Sequence, residues 1–136
     1  MTMNPKALRV FIIAAEESGD RLGSAIIKGL VDAKPDIAIA GIGGTGMRSA
    51  GLKESLFPMT ELSLMGIAEI VPKIPHMLKR INQTVEAIET LQPDVVITID
   101  GPEFCFRVQK KLQKLENRPK QVHVVAPSVW AWRPGG

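Results

Sequence analysis

A run of β-branched residues that ends in an acidic turn constrains the fold of this chain more than any other feature. Residues 95–99 read Val-Val-Ile-Thr-Ile and are followed by Asp100, Gly101 and Pro102. Such an apolar run predicts a buried strand. Pro102 and Glu103 suit the first turn of a helix, so Asp100 is predicted at the carboxyl end of the strand. Open α/β sheets bind their ligands at this edge.

Two roles are open to Asp100. A carboxylate on a rigid strand end, kept ionised by the N-terminus of the next helix, is well placed to take a proton from a substrate hydroxyl. Alternatively, Asp100 only caps the helix that contains Phe104. The neighbouring residues do not decide between these two roles.

The rest of the chain alternates between strand-like and helix-like patterns. Apolar runs predict further strands at residues 8–14, 37–40, 52–57 and 121–125, and helical spacing predicts a helix after the first strand and a short one at 47–50. Two more helices are predicted from apolar faces, which consist of Met77, Leu78, Ile81, Val85, Ile88 and Leu91, and of Phe104, Val108, Leu112 and Leu115. This alternation predicts an α/β fold with an open parallel Rossmann-like sheet and helices on both faces.

The length and composition are those of one soluble domain. A chain of 136 residues can bury about two thirds of its unfolded surface, and no apolar run approaches the ~20 residues needed to cross a bilayer. The N-terminus lacks a signal peptide's apolar core, so we expect a cytoplasmic protein. The single cysteine, Cys105, excludes an internal disulfide and is expected to pack in the core. We expect no metal and no cofactor.

The net charge of +3 is concentrated near the C-terminus. Six basic residues with only Glu116 among them could face an anionic membrane surface or a phosphorylated substrate, or form a solvated helix face; they are Arg107, Lys110, Lys111, Lys114, Arg118 and Lys120. Nucleic acid is not an expected partner, because aromatic residues make up 4% of the chain and none is a tyrosine.

Two loops contain glycines at predicted strand ends. The first loop, residues 15–20, contains Ser18 and Asp20, which can serve as helix caps, and Gly19, whose backbone can be approached closely. The loop therefore suits either binding of a phosphate or sugar hydroxyl or plain capping of the next helix. The second, residues 41–46, has the spacing G-x-G-x-x-G but follows the second strand instead of the first. A dinucleotide-binding fold carries an acidic residue about 20 positions after this pattern begins, and Glu61 lies near that position. The second loop therefore indicates either dinucleotide binding or a backbone that approaches a ligand or a neighbouring loop.

Two apolar segments lie outside this pattern. Residues 62–71 are apolar on most faces, which fits a core helix or an exposed surface for a lipid chain or a partner. The tail holds Trp130 and Trp132 beside Arg133, a group that suits a sugar face or an acyl chain. No closing helix follows the last strand, so we expect either a fragment of a longer protein or a covering element from another chain.

Four of these stretches together resemble the N-terminal part of the lipid-A-disaccharide synthase family. Residues 14–20 resemble A-G-E-x-S-G-D, residues 62–70 resemble L-x-V-M-G-I-x-E-V, residues 99–104 resemble I-D-x-P-D-F, and residues 127–133 read P-S-V-W-A-W-R. The resemblance covers essentially the whole chain. It implies the N-terminal half of a GT-B glycosyltransferase, a single acceptor-side domain over residues 1–136, with the C-terminal UDP-sugar domain absent.

The resemblance also implies a reaction. Enzymes of this family transfer 2,3-diacylglucosamine from UDP to the 6-hydroxyl of 2,3-diacylglucosamine 1-phosphate, without a metal, and Asp100 matches their general base. A fragment that lacks the second domain is expected to be inactive alone. Peripheral contact with the inner membrane and a possible homodimer are further expectations. The alternative is a non-catalytic nucleotide- or lipid-binding module.

Matching positions suggest the substrate-binding residues: Glu16, Ser18, Gly19, Asp20, Met65, Gly66, Ser128, Trp130, Trp132 and Arg133. Two positions depart from the family pattern. Ala15 replaces a glycine and could crowd a close backbone approach if positive φ is required. Glu103 replaces an aspartate and is expected to cap the helix.

Overall fold

The fold is a four-stranded parallel sheet with helices on both faces. The computed structural model describes residues 7–62 and 73–125. In chain order the elements are β1 (Arg9–Ala14), α1 (Glu17–Ala33), β2 (Ala38–Ile42), α2 (Thr45–Ala50), α3 (Lys73–Leu91), β3 (Val95–Ile99), α4 (Pro102–Leu112) and β4 (Lys120–Val124). The predicted α/β class is confirmed. No helix in the described ranges has both the length and the apolar character to cross a membrane.

The strand order places β1 and β3 at the centre of the sheet. The order is β2-β1-β3-β4, and all neighbouring strands are parallel. The chain leaves β1 in one direction to reach β2 and then crosses back to β3. The switch point between β1 and β3 is therefore the crevice in which such sheets bind ligands.

The core lies on both sides of the two central strands. β1 is buried from Val10 to Ala14, and β3 from Val96 to Ile99. α1 packs on these strands and against α2, while α3 packs against α4. Right-handed crossovers put α1 on one face and the α3–α4 pair on the other.

The apolar face predicted for α3 is confirmed only at its centre. Ile81, Val85 and Ile88 are buried, but Leu78 and Leu91 are each 43% exposed. These two leucines lie at the margins of the stripe. Thr84 is fully buried within it, and its hydroxyl donates to the carbonyl of Arg80 at 2.8 Å.

The strand predicted at residues 52–57 is wrong. This segment is a loop that uses its apolar residues as anchors, because Leu52 and Phe57 are buried while no ladder forms. The Ser55 hydroxyl donates to the carbonyl of Phe57 at 2.6 Å and curves the chain locally. One bond from the Leu56 amide to the Gly41 carbonyl, at 2.8 Å, fixes the loop beside the end of β2.

Candidate active site

Asp100 lies at the carboxyl end of β3, as predicted. It is half-buried, and its amide donates to the Val124 carbonyl at 2.9 Å, which fixes it to β4. Asp100 and Gly101 both adopt left-handed backbone, with φ of 46° and 51°. Aspartate and asparagine tolerate this region better than other side chains except glycine. The N-cap position of α4 falls on Gly101, so Asp100 occupies the turn between β3 and α4, beside the switch point.

The loop after β1 touches the turn after β3. A Cβ built on Gly101 would lie 2.6 Å from the Cβ of Ala15, and one built on Gly19 would lie 3.5 Å from Cγ2 of Ile99. Ala15 is buried and, since it is not among the residues with positive φ, needs no glycine conformation. Ala15, which departs from the family pattern, therefore fits at this position because the residue facing its Cβ is Gly101, which has no side chain.

The capping predicted in the first loop differs from what the structure shows. α1 begins at Glu17 with Glu16 at the N-cap, and no side chain caps that end. Glu16 and Ser18 are exposed, so both remain accessible at the switch point. Asp20 lies in the first helical turn, is only 8% exposed, and turns its carboxylate toward the second glycine loop.

Asp20 caps α2 rather than its own helix. Its Oδ1 accepts the amides of Gly44 at 2.8 Å and Met47 at 3.0 Å, and its Oδ2 accepts the amide of Gly46 at 2.9 Å. Three of the N–H groups that open α2 are thus satisfied by one carboxylate 24 to 27 residues earlier in the chain. A fourth amide, Gly43, donates to the hydroxyl of Ser55 at 3.1 Å.

These contacts explain the G-x-G-x-x-G pattern without a dinucleotide. A Cβ on Gly41 would lie 1.9 Å from the Ile12 carbonyl oxygen, and one on Gly46 would lie 2.9 Å from Oδ2 of Asp20. The glycines allow a close approach to a neighbouring strand and a neighbouring loop, which was one of the two interpretations. The amides that would hold a pyrophosphate already hold a carboxylate.

Glu61 is likewise engaged within the protein. Arg80 donates to it through Nε at 2.9 Å and Nη2 at 2.7 Å, and His76 Nε2 lies 2.5 Å from its Oε1. The Arg80 guanidinium also stacks 4.6 Å above the ring of Phe57, which meets Phe104 edge-on. Glu61 therefore fastens the helical turn at residues 60–62 to α3. It is not available for a ribose.

The Glu61 cluster predicts a pH dependence of stability. Hydrogen bonds from Arg80, and next from His76, lower the pKa of Glu61. A lowered carboxyl pKa contributes stability above the unfolded value of about 4.3, and this contribution is lost as the pH falls through the folded value. Urea unfolding at pH 7 should show Glu61→Gln less stable than the wild type by about 1 kcal/mol. This difference should shrink below pH 4, and a difference that stays constant down to pH 3 would contradict the assignment.

Cys105 packs in the core, as predicted. The side chain is fully buried, and burial, aided by the charge of Asp100, raises the pKa of the thiol to about 12. The influence of Asp100 also indicates that its carboxylate lies near the first turn of α4. An uncharged buried thiol is a poor nucleophile.

Replacing Cys105 by alanine should therefore reduce only packing. We expect Cys105→Ala to lower the free energy of unfolding by about 1 kcal/mol. In the folded wild type the thiol should react with an aromatic disulfide reagent far more slowly than in urea. Rapid reaction of the folded protein would show that the thiol is accessible and would argue against a core role.

Glu103 does not cap α4 with its side chain. It is exposed, and its Oε1 accepts from Nη2 of Arg107 at 3.1 Å, one helical turn later. The remaining basic residues of the C-terminal cluster are also exposed. Lys110 lies 5.4 Å above the ring of Phe106, which is itself 57% exposed. α4 thus presents a basic surface with one aromatic residue in it.

A cleft opens beside the second glycine loop, at the carboxyl ends of β1 and β2. Its volume is about 590 Å³, and it is lined by α1, α2 and the loop at residues 54–60. Sequence reasoning missed two arginines that line it, Arg21 and Arg48, because neither belongs to a motif. It also missed Ser55, whose role depends on contacts across the fold.

Six of the predicted site residues lie outside the described ranges. They are Met65, Gly66, Ser128, Trp130, Trp132 and Arg133. Of the apolar segment at residues 62–71, only Leu62 is described, and it is buried. The structure brings together Asp100 and the loop at residues 15–20, and the roles of these residues toward a substrate stay predictions.

Comparison with known proteins places the chain in one family. The family model described as lipid-A-disaccharide synthetase matches residues 10–135. The chain is 52% identical over 130 residues to the lipid-A-disaccharide synthase of Ruegeria pomeroyi, and 47% identical over 131 residues to that of Rhodospirillum centenum. Each alignment covers 96% of this chain and 32% of the relative, so the chain spans about a third of the relatives' length. The chain belongs to the lipid-A-disaccharide synthase family.

Proposed function

We propose that this chain is the acceptor-side domain of a lipid-A-disaccharide synthase. In this proposal the complete enzyme transfers 2,3-diacylglucosamine from UDP to 2,3-diacylglucosamine 1-phosphate, and the products are the lipid A disaccharide and UDP. The observation that carries the proposal is the position of Asp100, which stands on a rigid strand end beside the switch point of a parallel four-stranded sheet.

Asp100 is the proposed general base. Its carboxylate takes the proton of the acceptor 6-hydroxyl while that oxygen bonds to the anomeric carbon of the donor. The bond between this carbon and the UDP oxygen breaks, and UDP leaves with the electron pair. A carboxylate within hydrogen-bond reach of the acceptor hydroxyl can take this proton as the new bond forms.

The donor is proposed to bind mainly to a second domain. The chain spans about a third of its relatives, and the second domain of GT-B enzymes holds most of the UDP contacts. The substrate is a lipid, so we also propose peripheral contact with the inner-membrane surface. The basic surface of α4 supports this contact, because anionic headgroups attract exposed lysines and arginines. Homodimer formation stays a prediction, which sedimentation can test.

The proposal can be tested by transplanting the chain. A chimaera replaces the matching segment of the Ruegeria pomeroyi synthase with residues 1–136, and UDP release is measured with both lipid substrates. We expect turnover by the chimaera and none by the isolated chain. If neither form releases UDP although both are folded, the proposal fails and a non-catalytic lipid- or nucleotide-binding module is favoured.

A further inference from the structure

We propose that the cleft beside α2 binds the phosphate of the acceptor sugar through Arg21 and Arg48. This inference rests on the proposed function, because it names the site for one group of the proposed acceptor. We call this space the arginine cleft. Its walls come from the start of α1, from α2 with the glycines before it, and from residues 54–60; the lining residues are Glu17, Asp20, Arg21, Gly43, Gly44, Thr45, Arg48, Glu54, Ser55, Phe57, Pro58, Met59 and Thr60.

The arginine cleft contains two cations, Arg21 and Arg48, and three carboxylates, of which Asp20 is already engaged by backbone amides. Arg21 and Arg48 are exposed, and among the described residues neither takes part in an ion pair. The backbone amides at the start of α2 are not available, since Asp20 already accepts them. An anion in this cleft must therefore be bound by side chains. Guanidinium groups suit a phosphate because two parallel N–H groups can meet two of its oxygens.

The other polar groups favour a phosphorylated sugar over a nucleotide diphosphate. Glu17 and Glu54 line the same cleft and would repel the larger negative charge of a diphosphate. Carboxylates readily accept hydrogen bonds from sugar hydroxyls, and the exposed hydroxyls of Thr45 and Thr60 add further partners. Two arginines, two glutamates and two threonines thus match a ligand with one phosphate and several hydroxyls.

The position of the cleft relative to Asp100 fits the same ligand. The cleft opens at the ends of β1 and β2, and its β2 side is two strands away from Asp100, which follows β3, in the order β2-β1-β3-β4. At about 4.8 Å per strand the two positions are roughly 10 Å apart along the edge of the sheet. In a hexosamine 1-phosphate the hydroxymethyl group and the phosphate lie on either side of the ring oxygen. One sugar can therefore place its 6-hydroxyl toward Asp100 while its phosphate points into the cleft.

The direct test is a binding titration with the soluble headgroup. Glucosamine 1-phosphate is added to the 15N-labelled chain, and backbone amide shifts are followed for wild type, for the double variant Arg21→Gln/Arg48→Gln and for Lys28→Gln. Lys28 is exposed on α1 outside the cleft and serves as the matched control. We expect saturable shifts around residues 43–48, an affinity about tenfold or more weaker in the double variant, and no change in the control.

Several results would overturn the assignment. Wild-type affinity in the double variant, no saturable binding by the wild type, or shifts confined to α4 would each refute the arginine cleft. Equal affinity for inorganic phosphate would reduce it to a simple anion site. Binding by unphosphorylated glucosamine with equal affinity would remove the role of the phosphate.

A second measurement separates this inference from the proposed function. In the chimaera, the double variant should raise the KM for the acceptor about tenfold and change kcat little, because a remote phosphate contact binds ground state and transition state alike. An unchanged KM for the acceptor in an active chimaera would refute phosphate binding by the arginine cleft, and the proposed function would remain supported. An inactive wild-type chimaera that is folded would refute the proposed function. The glucosamine 1-phosphate titration would then still decide whether the arginine cleft binds the headgroup.

Discussion

Replacing Asp100 by asparagine should reduce UDP release by the chimaera on the order of 10²-fold to 10⁴-fold, the range expected for loss of a general base. The carboxamide cannot accept the proton of the acceptor hydroxyl. It has nearly the same size and shape as the carboxylate. Substrate binding should therefore change much less than turnover, and kcat should fall with little change in KM.

Asparagine is preferable to alanine in this experiment because of the backbone at position 100. Asp100 has φ of 46°, and asparagine adopts left-handed backbone far more readily than alanine does. Asp100→Ala would add strain of about 1 kcal/mol to the loss of the carboxylate. Circular dichroism and thermal unfolding of Asp100→Asn should match the wild type.

The control for Asp100→Asn is the same chemical change at Asp32, which is exposed on α1. Asp32→Asn should leave turnover unchanged. Full activity of Asp100→Asn would remove the base assignment. Its loss together with a loss of folding would leave only a structural role for Asp100.

The largest effect on stability is expected for Asp20→Ala, with a decrease in the free energy of unfolding of about 3 kcal/mol. The variant removes a carboxylate that accepts the amides of Gly44, Gly46 and Met47. Each lost hydrogen bond to a charged group costs about 1 kcal/mol or more, and the freed amides become difficult to satisfy in a mostly buried site. The melting temperature should fall on the order of 10 °C.

Two variants define the origin of this effect. Asp20→Asn keeps one acceptor oxygen and should have intermediate stability, whereas Asp32→Ala should differ from the wild type by less than about 0.5 kcal/mol. Hydrogen exchange should accelerate first at Gly44, Gly46 and Met47 in Asp20→Ala. A decrease below about 1 kcal/mol, or unchanged exchange at these amides, would contradict the capping role.

The fold was predictable wherever a pattern is local. Residues 95–99 are apolar, β-branched and bounded by Gly101 and Pro102, and the strand appears there as β3. The loop at residues 52–57 has a similar apolar content, yet its apolar residues anchor a turn that depends on the Ser55 hydroxyl. Periodicity alone cannot distinguish short apolar runs of these two kinds.

The candidate site was predictable only in part, for the same reason. Asp100 could be located because a strand end and a helix start are adjacent in sequence. The partner of Asp20 could not be identified, because it lies 24 residues away and is reached only after α1 and α2 pack together. Arg21 and Arg48 share a cleft through that same packing.

The carboxylate of Asp20 has a consequence for how fast and how tightly a small ligand can bind. The second glycine loop is held in one conformation by side chains of the protein itself, from Asp20 on one side and Ser55 on the other. A ligand that enters the cleft does not have to order this loop, so no conformational entropy is lost there on binding. A headgroup that makes only weak contacts can then bind to a site whose glycine-loop wall is already formed.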